Sequence, residues 1–314
     1  MNTFTENIDK PSAIVLDPKK KKKSAKNARK RKKTIFLIVM LCIPVLQWLI
    51  FWLYVNINSI LLAFQTKTGE WTFNNFNSLF HELSTGGTIM VALLNTLKYF
   101  ATNLVIMVLA LFISYFFYRH IKGTRVFRVI FYLPGIISSV ALTTVFAEFI
   151  APAGALGNIL EWLGVEEVPE LLADSRYATK TIIFYCIWTG FGTNVLLFTG
   201  AMKRIPISLI ESAQLDGCSM LHEFFSIILP LIWPTISTII ILNCTGLFAA
   251  SGPILLFTQG KWQTTTIGYW IFDMVYNYNN YNMVSAAGLF FTCIGVPLTL
   301  LIRWLIDKIP TAEY

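Results

Sequence analysis

Long apolar stretches alternate with short polar connections along most of this chain. Residues 35–55 form the first such stretch, with 21 residues and no charge. Because a helix rises about 1.5 Å per residue, a stretch of this length can cross the roughly 30 Å hydrocarbon core of a bilayer. The other stretches of this kind are residues 94–118, 127–150, 181–202, 224–250 and 284–306. The pattern therefore predicts an all-α polytopic membrane protein with six transmembrane helices.

The composition supports this prediction. Of the 314 residues, 55% are hydrophobic and 13% are charged. Soluble domains typically contain about 25% charged residues, so the chain is too apolar to be a soluble domain of this size.

The distribution of basic residues predicts the orientation, because loops rich in Lys and Arg stay in the cytoplasm. Eleven basic residues and no acid lie between Lys19 and Lys33, and the connections that follow the second and fourth stretches are basic as well. The connection at residues 151–180 instead carries five acids, Glu161, Glu166, Glu167, Glu170 and Asp174. We expect a multi-pass protein of a bacterial-type plasma membrane with both termini in the cytoplasm.

The N-terminal tail, residues 1–34, is basic and has few apolar residues. We therefore expect it to lack fixed structure and to lie near lipid head groups as a flank of the first membrane helix. Binding of nucleic acid by this tail is the less favoured interpretation.

Several kinds of chemistry are not indicated. The five cysteines lie in the apolar stretches or in a predicted cytoplasmic connection, which gives no disulfide framework. The three histidines are far apart and no metal-binding motif occurs, so no metal site is predicted. No G-x-x-x-x-G-K-[ST] loop is present to hold ATP phosphates. We expect a protein that is not an enzyme and carries no cofactor.

A polar island at residues 211–223 separates the fourth and fifth stretches and falls on the predicted cytoplasmic side. It contains Glu211, Asp216, Gly217, His222 and Glu223. Polar side chains next to membrane-spanning sequence must face water or a soluble partner. Residues 207–221 are predicted to form a short helix, with Pro206 near its start.

The island resembles the EAA loop of binding-protein-dependent ABC importer permeases, whose pattern is E-A-A-x3-G-x9-I-x-L-P. The matching residues are Glu211, Ala213, Gly217, Ile227, Leu229 and Pro230, and Asp216 completes a D-G pair. Ser212 and Cys218 replace alanines of the family pattern, but both are small. The resemblance implies a MetI-like permease core over residues 35–314.

Three further segments resemble carbohydrate-uptake permeases of the maltose and glycerol-phosphate type. They are N-T-L at residues 95–97, F-Y-L-P-G-I-I-S at 131–138 and T-Q-G-K at 258–261. The resemblance implies one half of a heterodimeric channel for a sugar or a related solute.

The same resemblance implies a set of partners and a site of contact with them. A second permease subunit, two ATP-binding subunits that hold ATP and Mg, an extracellular solute-binding protein and membrane lipid are expected. A coupling helix at about residues 207–222 should contact the ATPase. Its candidate coupling residues are Glu211, Ser212, Ala213, Asp216 and Gly217. The alternative is an ordinary polar turn whose acids cap helix ends.

Polar and small residues in the fourth and fifth stretches are candidates for the solute path. They are Trp188, Gly190, Thr193 and Asn194 in the fourth, and Asn243, Gly246, Leu247 and Ala250 in the fifth. Asn amides and a Trp ring suit the hydroxyl edges and C–H faces of a sugar. The alternative is that these residues only pack helix against helix.

The acidic outer connection also contains Leu156, Ile159, Leu160 and Leu163 at helical spacing. This spacing predicts an amphipathic helix on the outer membrane surface. Together with residues 56–92, the connection is a candidate contact area for the solute-binding protein, and a merely solvated acidic loop is equally compatible with the sequence.

Two other functional classes compete with the permease hypothesis. A self-sufficient secondary transporter or channel would need charged relay residues within the spans. Only Lys98 and Glu148 are near candidates, and both lie towards the outer ends. A scaffold or receptor with a basic tail would leave the spacing of the island unexplained.

Overall fold

The computed structural model describes residues 18–119 and 121–309, with side chains described from residue 30 onward. Within these ranges the regular elements are helical, apart from one isolated bridge between Gln65 and Trp71. The α-helices are α1 Pro18–Trp48, α2 Val55–Ala63, α3 Asn74–Ser84, α4 Thr88–Tyr118, α5 Thr124–Ile136, α6 Ser139–Ile150, α7 Ala155–Trp162, α8 Ala178–Met202, α9 Ile207–Leu215, α10 Met220–Glu223, α11 Leu229–Leu231, α12 Trp233–Thr245, α13 Ile254–Phe257, α14 Ile267–Tyr276 and α15 Tyr281–Ile306. The all-α prediction is confirmed.

The chain divides into two compact units, residues 1–59 and 60–314, which we describe separately. In the first unit α1 continues through a π-helical turn, Leu49–Tyr54, into α2. None of the side chains described in this unit is buried. The expectation of an unstructured tail falls partly on residues 1–17, which lie outside the described residues. From Pro18 the tail differs from that expectation and is helical, since Lys, Arg and Ala all favour helix.

The second unit is built around the pair α4 and α8. α4 packs along α8, and α5 packs on α8 as well. Gly190 and Gly192 permit these close approaches, because a Cβ at Gly190 would lie 3.0 Å from Ile106 Cδ1 and one at Gly192 would lie 2.9 Å from the carbonyl oxygen of Phe131. α12 and α15 pack against each other, and α3 and α14 contact both α4 and α15.

Five helical segments of the described chain are long and apolar enough to cross a membrane, and one bent helix pair makes a sixth. The five segments are Lys30–Ala63, Thr88–Tyr118, Ser139–Trp162, Ala178–Met202 and Tyr281–Ile306. The predicted number of spans therefore agrees with the structure when the bent pair counts as one span.

Two predicted spans differ in form from the structure. The third, residues 127–150, was expected to be one helix but breaks between α5 and α6, where Ile137 has extended backbone with ψ 145°. Pro134 and Gly135 in the last turn of α5 weaken helix continuation there. The fifth, residues 224–250, bends by 69° between Met220–Leu231 and Trp233–Thr245. Pro230 and Pro234 flank this bend, and each removes a backbone donor from the helix.

Candidate functional site

The polar island folds as two short helices joined by a tight turn. α9 follows Pro206 and is fixed to the bundle by Ile210, which is 6% exposed and belongs to the main apolar cluster. α9 ends at Leu215, so the predicted helix over residues 207–221 is wrong beyond this residue. α10 starts after Ser219, whose side chain accepts a hydrogen bond from the backbone N–H of His222.

The turn between these helices explains why a glycine stands at position 217. Gly217 has φ +77°, a left-handed conformation that suits glycine. Its N–H donates to the carbonyl of Gln214, and the N–H of Cys218 donates to that of Ala213. This is the Schellman arrangement that closes a helix C-terminus. The backbone conformation of this turn therefore favours glycine at position 217, whether or not a partner binds there.

The candidate coupling residues lie together on the surface. Glu211, Ser212, Asp216 and Gly217 are exposed, and Ala213 is half-buried. Residues of the turn and the following helix line a shallow depression of about 540 Å³, formed by Ala213, Asp216, Gly217, Cys218, Ser219, His222 and Ile227. Three of the five candidate coupling residues, Ala213, Asp216 and Gly217, therefore share this depression, and Glu211 and Ser212 do not line it.

Exposed apolar side chains lie near Glu211 and Asp216. The sequence pattern did not indicate that these apolar side chains would be exposed. Leu215 is 89% exposed, and Ile207 and Leu221 are each 70% exposed. Apolar side chains clustered on a polar surface mark contacts with another protein or with a membrane. The arrangement can accept a partner that offers apolar and basic groups.

Glu223, the last residue of the island, is instead buried at 1% exposure. Arg119 Nη1 donates to Glu223 Oε2 at 3.3 Å, and the Tyr115 hydroxyl donates to Glu223 Oε1 at 3.1 Å. Tyr115 also lies 3.1 Å from the carbonyl oxygen of Met220. Sequence reasoning missed this cluster, because the two partners lie more than 100 positions before Glu223 and no local pattern connects them.

The candidate solute-path residues divide into those that helix packing explains and those that keep accessible surface. Gly190 lies at the contact between α4 and α8, and Leu247 is only 4% exposed, so helix packing accounts for both. Thr193 is exposed and Asn194 is half-buried.

The other path candidates keep accessible surface. Trp188 is 37% exposed and stacks 6.1 Å from the ring of Phe146. Asn243 on α12 is half-buried, and α12 contacts α8. Among the described residues, neither the Asn243 nor the Asn194 amide has a hydrogen-bond partner. Both amides thus remain able to bind another molecule.

The loop that precedes α14 has an unusual backbone that the core holds in place. Gln259, Trp262 and Gln263 have φ of 51°, 57° and 55°, which non-glycine residues rarely adopt. The Asn95 amide of α4 donates to the carbonyl oxygens of Gln263 at 2.7 Å and Thr265 at 3.0 Å. The N-T-L segment thus anchors this loop.

The acidic outer connection contains an exposed ion pair. Arg176 Nη2 lies 2.6 Å from Asp174 Oδ2. Hydrogen bonds from the side chain and the backbone N–H of Arg176 hold the pKa of Asp174 below its usual value. A helix is present where the amphipathic one was predicted, as α7, and Ile159 on it is 50% exposed. Within residues 18–119 and 121–309, no group of three His, Cys, Asp or Glu side chains is placed to hold a metal ion.

Comparison with known sequences gives a consistent result. Residues 106–310 match the family model described as "Binding-protein-dependent transport system inner membrane component". The probable ABC transporter permease protein YesP of Bacillus subtilis is 28% identical over 198 residues, which are 62% of this chain and 64% of YesP. The multiple sugar-binding transport system permease protein MsmF of Streptococcus mutans is 26% identical over 271 residues, 84% of this chain and 92% of MsmF.

A solved structure has the same fold. It is the crystal structure of a bacterial ABC transporter involved in the import of the acidic polysaccharide alginate. One of its chains superposes with a TM-score of 0.76 at 24% identity, covering 91% of this chain and 100% of that chain. The predicted fold of an importer permease is confirmed.

Proposed function

Because this chain belongs to the family of inner membrane components of binding-protein-dependent transport systems, we propose that it forms half of the translocation path of an ATP-driven importer. A separate ATPase binds ATP and Mg and contacts the loop at residues 207–222. The second half of the path is another permease subunit, and an extracellular solute-binding protein delivers the solute. Both termini are cytoplasmic.

The exposed surface of α9 and its turn carries this proposal. Three acidic or small polar side chains, Glu211, Ser212 and Asp216, stand beside Leu215, which is 89% exposed. A helix-capping turn does not require an apolar side chain that is exposed to water, whereas apolar side chains of this kind are typical of protein interfaces.

A sugar or oligosaccharide is the proposed solute class. MsmF takes part in multiple-sugar transport by its name, and the superposed transporter imports a polysaccharide. In this chain Trp188 offers a ring face, and Asn194 and Asn243 offer amides that have no hydrogen-bond partner within residues 18–119 and 121–309. Aromatic faces and amides are the groups that bind sugars.

An ion-coupled transporter or a channel has less support. Among the described residues, Glu223 is the only buried charged side chain, and Arg119 pairs with it. Glu148, the earlier relay candidate, is exposed, and Lys98 Nζ lies 3.2 Å from Asn95 Oδ1.

The direct test is reconstitution. The chain should co-purify with an ATPase and a second permease encoded beside it, and cells that express the set should take up at least one member of a panel of radiolabelled mono- and oligosaccharides in an ATP-dependent manner. Uptake driven by an ion gradient, without an ATPase, would contradict the proposal.

The proposed orientation predicts which cysteine substitutions react from outside the cell. In a cysteine-free background, Thr68→Cys and Glu167→Cys should react with an impermeant maleimide, whereas Lys122→Cys should react only after permeabilisation. All three side chains are exposed, so access to reagent differs only by the side of the membrane. The reverse labelling pattern would overturn the orientation.

The proposed solute path predicts an affinity loss at the free amides. Asn194→Leu or Asn243→Leu should weaken uptake affinity by about 1–3 kcal/mol, as expected when a buried hydrogen bond to the solute is lost. Assembly should be unaffected, because neither amide bonds to a neighbouring helix in the described structure. Leu196→Asn, at an exposed position of α8, is the matched control. Unchanged uptake affinity in both Leu variants would remove these residues from the path.

A further inference from the structure

We propose that Glu223 couples the cytoplasmic loop to α4, and that α4 carries movements of this loop to the outer face of the protein. The inference rests on the proposed function, since it supposes that an ATPase moves α9 and its turn. It assigns Glu223, Arg119 and Tyr115 the role of positioning residues.

The contact at the cytoplasmic end of α4 is both polar and apolar. Glu223 receives hydrogen bonds from Arg119 and Tyr115. The next residue, Phe224, stacks on Phe112 at 5.1 Å and makes a tilted ring contact with Tyr115 at 5.1 Å. An ion pair whose acid is 1% exposed keeps its geometry better than a fully exposed pair. The loop and the end of α4 are therefore expected to move together.

The body of α4 is suited to carry such a movement. It has 31 residues, contains neither Gly nor Pro, and is about 45 Å long at the usual helical rise. The other spans of the described chain contain positions where the helix is interrupted or bends more easily. These are Pro44, the break after Ile136, the glycines of α8, the 69° bend and Pro297.

The outer end of α4 holds the strained loop before α14. Asn95 donates to two carbonyl oxygens of this loop, and Thr96 Oγ1 accepts a hydrogen bond from the Ile267 N–H at 2.9 Å. Asn95 and Thr96 are 2% and 0% exposed. A shift of α4 along or about its axis would therefore displace this loop, which includes the exposed Lys261.

The test uses the complete complex with its ATPase in nanodiscs and needs no knowledge of the solute. A single cysteine, Lys261→Cys, reports on the outer loop in a cysteine-free background. Its reaction rate with a maleimide should differ between the nucleotide-free complex and the complex trapped with ADP and vanadate. Adding Glu223→Leu, which fills the site without polar contacts, should abolish this difference while the complex keeps its ATPase subunit and its basal ATP hydrolysis.

Two controls separate the polar contact from general damage. Glu223→Gln keeps one acceptor oxygen for Arg119, and its NH2 group can donate to the Tyr115 hydroxyl, which in turn can donate to the carbonyl oxygen of Met220, so the variant should retain most of the nucleotide-dependent difference. Asp307→Leu breaks an exposed 3.8 Å ion pair with Arg303 and should have no effect. A nucleotide-dependent difference that persists in Glu223→Leu would overturn the inference and leave the proposed function standing. Loss of the ATPase subunit from Glu223→Leu would also overturn it, by placing Glu223 in docking instead. A parent complex that binds no ATPase would overturn the proposed function itself.

Discussion

Reversing both acids of the coupling turn, by Glu211→Lys with Asp216→Lys, is expected to abolish ATP-driven import and to release the ATPase subunit. Both side chains are exposed and form no ion pair among the described residues, so their replacement should leave the bundle intact. At an interface the new charges would oppose basic groups of the partner, and such repulsion costs several kcal/mol. The measurements are ATPase retention on affinity purification and uptake of the sugar identified in the panel.

Gly217 provides a matched pair of variants at the same turn. Apart from its chain neighbours, no heavy atom of the described residues lies within 4 Å of a Cβ built at Gly217, so the first atom of a side chain there meets open space. Gly217→Asn should preserve the turn, because Asn tolerates left-handed backbone, whereas Gly217→Trp also strains it by roughly 1–2 kcal/mol. We expect Gly217→Trp to lose import while the chain remains folded. Normal import in the Lys double variant and in Gly217→Trp would refute coupling through this surface.

Arg119→Met is expected to destabilise the protein by about 3 kcal/mol, the lower end of the range for removing one partner of a buried ion pair. Glu223 is 1% exposed and would keep only the Tyr115 bond, so its charge would be left largely uncompensated. Arg119 is 24% exposed and the variant site admits some water, which is why we expect the lower end of the range. The thermal midpoint in a fixed detergent should fall by roughly 6–12 °C.

Two comparisons test the cause of this loss. Combining Arg119→Met with Glu223→Leu should recover most of the stability, because an apolar pair of similar volume replaces the ion pair. Arg303→Met breaks the exposed pair with Asp307 and should change stability by about 0.5 kcal/mol or less. A double variant as unstable as Arg119→Met alone would show that lost packing, and not the unpaired carboxylate, causes the effect.

The apolar spans and the position of the polar island were predictable because they depend on local sequence. A stretch such as residues 181–202 has to be helical in a membrane, since no other structure satisfies its backbone there, and α8 is found at Ala178–Met202. The spacing from Glu211 to Pro230 likewise lies within one short segment, so a single sequence is enough to display it.

The breaks within the spans could be foreseen only in part. Pro134 and Pro230 were visible in the sequence, but a proline is tolerated in one membrane helix and ends or bends another, depending on which neighbours satisfy the freed backbone groups. Gly217 was predicted from the sequence to be a coupling residue. The structure adds a backbone requirement, φ +77° in a helix-closing turn, which depends on where α9 ends.

The sequence by itself determined the class of the protein, the approximate limits of its spans and the position of the polar island at residues 211–223, because hydrophobicity and motif spacing are properties of contiguous residues. Only the tertiary structure decided that Glu223 is buried against Arg119 and Tyr115, that Asn95 holds the loop before α14, and that Gly190 and Leu247 serve packing. Each of these roles depends on residues that lie far apart in the chain and meet only when the helices pack. The free energy of burying a charge or an amide depends on the partners that packing brings to it, and a local sequence pattern does not contain this information.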